Sequence, residues 1–182
     1  IEAPILSVEP ERIRFQIPWD VAPGPAVFEA GGFAESEFER DSVEIPIERF
    51  APSYYVDRKP AFVHGDWRGL ITESDPARPG EVIQIFLTGL GPVSPPWPAG
   101  VPAPNDAVHK ITAAIACDMA PYKSAPARAV DVLYAGLAPG TIGYFQVSVQ
   151  IPDDEGGGFL TCRLSDGAGN KGEFDHYLNL QQ

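Results

Sequence analysis

Apolar and polar residues alternate along much of this sequence, and a period of two is the pattern of β-strands that bury one face. The alternation is clearest at residues 13–17, 43–47 and 144–151, while residues 82–87 are apolar almost throughout, as in a strand buried on both sides. Residues 159–180 indicate two strands around a turn-rich stretch, which predicts a hairpin. No ten-residue segment has the spacing of an amphipathic helix, and 18 Gly and 20 Pro residues supply many turns. The sequence therefore predicts an all-β fold.

An internal repeat divides the chain. Residues 13–18, Ile-Arg-Phe-Gln-Ile-Pro, align with residues 147–152, Val-Ser-Val-Gln-Ile-Pro, and the preceding segments 5–10 and 133–139 are also related. After each copy come a Gly-containing turn, a strand, a second turn and a last alternating strand. Two copies of one β-module explain this pattern with the fewest assumptions.

The two copies are unequal at their front ends. Three predicted strands precede the second copy, whereas the sequence begins almost at the first copy, so the first module lacks its opening strands. An open sandwich exposes apolar core and unpaired backbone. We expect it to be covered by residues upstream of this sequence, by the second module, or by a strand from another chain. The predicted organisation is an incomplete module at 1–57, a connecting hairpin at 58–74 and a complete module at 75–182.

Particular stretches resemble a known family. They are Asp-Pro-Ala-Arg-Pro-Gly-Glu-Val at 75–82, Thr-Gly-Leu-Gly-Pro-Val-Ser-Pro-Pro at 88–96, and Val-Leu-Tyr-Ala-Gly-Leu-Ala-Pro-Gly at 132–140. The chain is similar to the immunoglobulin-like domain at the C-termini of large secreted acidobacterial proteins of the Solibacter type. The resemblance implies tandem immunoglobulin-like β-sandwich modules joined by a hairpin, an extracellular or cell-surface location, and no catalytic residues. Residues 117–126 depart from it, because they replace what is commonly a tight Gly-Gly turn.

Charge limits the choice of partners. The formal net charge is −12, which would repel the phosphates of nucleic acid and an anionic membrane surface. No apolar stretch approaches the roughly 18 residues of a membrane span. The sequence opens at Ile1 without a signal peptide, as a mature product or an excised fragment would. We therefore expect neither nucleic-acid binding nor membrane insertion; the acidic surface serves solubility or attracts a cation or a basic partner.

Cys117 and Cys162 are too few for a disulfide scaffold and lack metal-ligand spacing. The strands predicted around them could be neighbours in one sandwich. Two alternatives stay open, a disulfide or a pair of buried free thiols. A disulfide would require an oxidising compartment.

Catalytic and metal-binding signals are weak. The three histidines have no metal-ligand spacing, and the sequence contains neither H-E-x-x-H nor G-x-S-x-G. We therefore predict no enzymatic activity and no cofactor. Asp153, Asp154 and Asp166 are weak calcium candidates, because loop carboxylates suit a hard cation. Asp is equally typical of tight turns, which is the competing interpretation.

Two functional hypotheses remain. The first is a non-catalytic structural and assembly module that associates with copies of itself, or with the rest of a larger secreted chain, by strand complementation. Residues Ile5, Leu6 and Val8 are the candidate donor strand. The second is an adhesion or carbohydrate-binding accessory module. Its candidate contacts are aromatic residues that could form a platform for sugar or peptide, or could instead fill the core: Trp67, Trp97, Tyr54 and Tyr55.

Overall fold

The computed structural model describes residues 1–34, 37–54, 61–153, 158–178 and 180. These residues form antiparallel β-sheets, and no helix occurs among them, so none of the described segments is a helix that could span a membrane. The prediction of an all-β fold is confirmed. The strands are β1 Ile5–Glu9, β2 Arg12–Phe15, β3 Gly24–Ala34, β4 Glu37–Ile47, β5 Ala61–His64, β6 Val82–Leu87, β7 Val93–Ser94, β8 Lys110–Ile111, β9 Ala114–Ala120, β10 Arg128–Leu137, β11 Phe145–Gln150, β12 Gly158–Ser165 and β13 Lys171–Leu178.

Strands β5 to β13 form one nine-stranded sheet in the order β13-β12-β9-β10-β11-β6-β5, with β8 on β10 and β7 on β8. The predicted segment at 144–151 contains β11, whose Phe145, Val147 and Val149 all point into the core. Strand β6 lies between β5 and β11, and four of its six residues are buried, which agrees with its almost continuously apolar sequence. The predicted hairpin at 159–180 is β12–β13.

Strand β10 belongs to both halves of this curled sheet. Its first part pairs with β9 and its second part with β11. The register shifts between Val132 and Tyr134, so Leu133 is an extra residue in the strand. Such a β-bulge bends a strand and changes which residues face inward. Beyond the bulge, the side chains of Ala135 and Leu137 belong to the hydrophobic core.

Strands β1 to β4 form two separate hairpins, which we call the N-terminal unit. Strand β1 pairs with β2, and β3 pairs with β4 along eleven residue pairs. The Phe15 ring on β2 lies 5.0 Å from the Phe28 ring on β3, so the apolar faces of the two hairpins meet there. Within the described chain, neither hairpin is part of the nine-stranded sheet.

The β1–β2 hairpin carries a bulge at the same place as the β10–β11 hairpin. In the repeat alignment Phe15 corresponds to Val149 and Arg14 to Ser148. In both hairpins the register shifts by one residue between these two aligned positions. Leu6 is the extra residue in β1, as Leu133 is in β10. The corresponding cross-strand pairs are Ile5–Phe15 and Ser7–Arg14 in one hairpin, and Val132–Val149 and Tyr134–Ser148 in the other.

Several contacts join the N-terminal unit to the nine-stranded sheet. The Trp19 ring packs edge-on against Phe145 at 5.8 Å, and the Gly100 N–H donates to Gln16 Oε1 at 2.7 Å. Residues 51–53 make backbone hydrogen bonds with Thr88 and Gly89.

The end of the first predicted module and the predicted connecting hairpin both contact the nine-stranded sheet. The module boundary predicted at 57 falls outside the described residues, but Phe50 and Tyr54, just before it, pack with the core of the sheet. The predicted connecting hairpin contains β5. An isolated antiparallel bridge joins Val63 of β5 to Leu70, and β5 also pairs with β6. It therefore extends the sheet at one edge.

Candidate functional site

The N-terminal unit exposes several apolar residues of its alternating strands, although Ile47 is buried. Ile5, Val8 and Ile13 share one face of the β1–β2 hairpin, and their exposed fractions are 63%, 68% and 44%. Val43 on β4 is 57% exposed. Contiguous exposed apolar surface of this kind marks an interaction site in most soluble proteins.

Equivalent positions of the nine-stranded sheet are closed. Ile17 in the first repeat is 37% exposed, whereas its counterpart Ile151 is fully buried. The difference follows from neighbouring strands, because β6 lies beside β11 and β9 lies beside β12. Within the described residues, β2 pairs with β1 alone and β3 with β4 alone. Among the described strands, neither hairpin therefore has the further neighbouring strand that β11 and β12 have in the nine-stranded sheet.

A cleft of about 390 Å³ lies between the N-terminal unit and the nine-stranded sheet. Its walls are largely apolar and include Phe15, Ile17, Ile47 and Phe145. Trp19 also lines it, and its indole Nε1 is buried without a hydrogen-bond partner among the residues described. Because the indole N–H can only donate, this buried group lacks an acceptor among the described residues.

The candidate donor residues Ile5, Leu6 and Val8 all lie on β1. The backbone of β1 is paired with β2 on one side, and all three side chains are exposed. The segment is therefore one strand of a hairpin and not a free extended arm.

The structure does not bring the candidate aromatic residues together. Tyr54 packs edge-on against Phe174, and its hydroxyl donates to the Asp175 carbonyl oxygen at 3.2 Å; burial raises its pKa. Trp97 donates to the Val101 carbonyl oxygen at 3.1 Å and packs beside a histidine ring on another part of the surface. Tyr55 lies outside the described residues. A shared platform is therefore not formed by Tyr54 and Trp97.

Trp67 differs from the other candidates because it is exposed. Its side chain is 60% exposed, and its φ of 62° is the one positive φ among the described residues that are not glycine. A bulky residue in this conformation is strained, and such strain is concentrated at functional sites. The ring lies 6.0 Å from Phe86 on β6.

Polar side chains lie beside this aromatic pair on the same sheet face. Gln146 is the cross-strand neighbour of Phe86, and Ser148 is the neighbour of Gln84. Gln146 Nε2 donates to Gln84 Oε1 at 2.8 Å, and the Ser148 hydroxyl donates to the same oxygen. Residues 82–87 were predicted to be buried on both sides, and alternation in 144–151 placed Gln146 and Ser148 only on the face opposite Val147, so no sequence pattern predicted a polar cluster.

Cys117 and Cys162 are direct cross-strand neighbours on β9 and β12, and the structure joins them as a disulfide. Both residues are buried in the core of the nine-stranded sheet. The bond links strands that are 45 residues apart in the chain.

The loop carboxylates of the calcium hypothesis are used differently. Asp166 Oδ1 accepts the backbone N–H groups of Ala168 and Asn170 at 3.0 Å, and Oδ2 accepts Asn170 Nδ2 at 2.8 Å. These hydrogen bonds hold the pKa of Asp166 below its usual range, and the bond from the Asn170 side chain contributes most. Asp153 is exposed and Asp154 lies outside the described residues. No group of three or more possible metal ligands comes together in the described part of the chain.

A charged cluster around His64 was not anticipated from the sequence. His64 is fully buried, with Nδ1 2.7 Å from Glu81 Oε1 and Nε2 3.4 Å from Asp75 Oδ2. The Arg68 guanidinium lies 3.3 Å from Glu81 and 3.5 Å from Asp75. The cluster joins the turn after β5, which contains Trp67, to the residue just before β6.

With this geometry in hand, comparison with known proteins gives no relative: no family model, no curated protein and no solved structure matches the chain.

Proposed function

We propose that this protein is a non-catalytic structural and assembly module of an extracellular protein. In this proposal it consists of tandem immunoglobulin-like β-sandwich units, the first of which is completed by a β-strand from outside the unit. The observation that carries the proposal is the N-terminal unit, which has the hairpin pairing of a sandwich but leaves its apolar face open.

The matched bulges support the tandem interpretation. A bulge fixes which side chains point inward on either side of it, so the same bulge at the same register is a specific feature to share. Leu6 and Leu133 occupy these positions in two segments whose sequences also align. Of the strands that flank β11 and β12 in the nine-stranded sheet, β6 and β9 have no counterpart beside β2 and β3 among the described strands.

Energetics favours a covered N-terminal unit. Full burial of an isoleucine or valine side chain contributes about 1.5–3 kcal/mol relative to exposure. The N-terminal unit holds four such residues in largely exposed positions, namely Ile5, Val8, Ile13 and Val43. Completing the unit would therefore add several kcal/mol, less the cost of ordering the incoming strand.

The extracellular part of the proposal rests on the disulfide. A buried bond between Cys117 and Cys162 forms and persists in an oxidising compartment. The acidic surface adds solubility there.

Hydrogen exchange combined with light scattering tests the open unit. For the isolated chain we expect rapid exchange of the β1–β4 amides and slow exchange in β6, β11 and β12. Protection of β1–β4 equal to that of β11 in a particle of 19.6 kDa would show a unit that is closed by itself and would refute the proposal. A larger particle with protected β1–β4 amides would indicate completion between copies.

A second candidate function is adhesion through carbohydrate binding. Trp67 supports it, because an exposed ring near the half-buried Gln146 amide offers an apolar surface and a hydrogen-bond partner to a neutral sugar. The test is binding of the intact protein to a panel of neutral glycans. We expect Trp67→Ala to abolish binding and Trp97→Ala, whose ring lies elsewhere, to retain it. Equal binding by both variants would reject this site.

A further inference from the structure

We propose that the edge of β2 that faces away from β1 binds an antiparallel β-strand with the residue pattern of β6, supplied from outside the N-terminal unit. This inference rests on the proposed function, because it names the partner and the register that would complete the N-terminal unit.

The register follows from the nine-stranded sheet. There the edge of β11 is occupied by β6, in which Ile83 faces Val149, Gln84 faces Ser148 and Ile85 faces Val147. In the repeat alignment these β11 residues correspond to Phe15, Arg14 and Ile13 of β2. The incoming strand would therefore place its counterpart of Ile83 opposite Phe15. Its counterparts of Gln84 and Ile85 would lie opposite Arg14 and Ile13.

The chemistry of the partner strand follows from the same positions. Ile83 and Ile85 are fully buried, so the residues opposite Phe15 and Ile13 should be apolar and should point toward the open face. The residue opposite Arg14 should be polar or acidic, because opposite charges in a cross-strand pair are stabilising. The partner is thus a segment of apolar-polar-apolar pattern with no basic residue at its centre.

The cleft beside β2 has room for these side chains. Its volume is about 390 Å³, and Phe15 and Ile17 form part of its wall.

A second copy of the chain is a poor source for this strand. Antiparallel pairing of two β2 edges about Ile13 puts Arg12 of one copy opposite Arg14 of the other, and like charges directly opposite are destabilising. The β6 strand of a second copy is already paired on both edges, with β5 and with β11. The net charge of −12 also opposes close packing of copies.

Site-directed disulfide formation tests the register with the full chain. The probe is a synthetic peptide of residues 80–88 with Gln84→Cys, made soluble by terminal lysines. It is mixed with the Arg14→Cys protein under mild oxidation. The Arg12→Cys protein is the matched control, because position 12 corresponds to a residue that faces Phe86 in the sheet. The native disulfide is buried and therefore protected from exchange.

We expect cross-linking of Arg14→Cys at least tenfold faster than that of Arg12→Cys. A second peptide with Ile85→Pro should fail to bind, because proline removes a ladder donor. With the unmodified peptide, the β2 amides of the wild-type protein should exchange more slowly. Equal cross-linking at both positions, binding of the proline peptide, or faster dimerisation of Arg14→Cys with itself would each overturn the inference. If β1–β4 are already protected in the isolated monomer, the proposed function fails as well; if they exchange rapidly and the peptide does not bind in register, only this inference fails.

Discussion

The repeat contains a matched pair of isoleucines that reports how open the N-terminal unit is. Ile151 is fully buried, so Ile151→Ala should lower the free energy of unfolding by about 2–5 kcal/mol. Ile17 occupies the aligned position but keeps 37% of its surface exposed. Truncation there removes fewer packed atoms and leaves no enclosed cavity, so Ile17→Ala should cost about 1 kcal/mol or less.

The assay is urea denaturation of both variants and the wild type, followed by far-ultraviolet circular dichroism. At a urea dependence of about 2 kcal/mol per molar, Ile151→Ala should lower the midpoint by at least about 1 M and Ile17→Ala by no more than about 0.5 M. A saturating concentration of the unmodified peptide of residues 80–88 should raise the loss of unfolding free energy caused by Ile17→Ala toward that caused by Ile151→Ala. Equal midpoint losses without peptide would refute the reasoning, because they would mean that both positions are equally enclosed.

Two further predictions concern the nine-stranded sheet. Replacing Cys117 and Cys162 together by alanine should lower the free energy of unfolding by about 4 kcal/mol, because the disulfide closes a loop of about 45 residues. Urea denaturation measures this loss. Titration of two thiols in the unfolded, unreduced protein would contradict the prediction. Burial, opposed by nearby Asp175, lowers the pKa of His176, which stacks on Phe62. The unfolded chain therefore binds the proton more readily, so stability should fall as the pH drops below about 6.5, and His176→Phe should remove this part of the pH dependence in urea midpoints measured from pH 7.5 to 5.

Local pattern predicted the strands whose environment is uniform. Alternation identified the region of β11, and a continuous apolar run identified β6, because the residue types of a strand reflect which of its faces are buried. The same pattern predicted only the last part of the long β3–β4 hairpin, since Gly31 and Gly32 interrupt the apolar face of β3. No local signal marks β10 as a strand of both halves of the sheet, because that role depends on pairing with β9 and β11.

The candidate site was predictable in outline only. Comparing the two copies predicted an open first unit, and the high exposure of Val8 is what such a unit requires. Residue type alone could not distinguish the buried Tyr54 from the exposed Trp67, because aromatic residues serve as core and as contact surface alike. The pairing of Cys117 with Cys162 was one of two alternatives until the register of β9 and β12 was known.

The bulge at Leu133 sets different limits on substitution and on chain length. Its side chain is largely exposed, so exchanging it for another residue should cost little. Removing the residue would instead make Val132 and Tyr134 neighbours in a regular ladder and take away the bend at which β10 passes from pairing with β9 to pairing with β11. A library of variants at this position should therefore tolerate nearly any side chain and reject a single deletion.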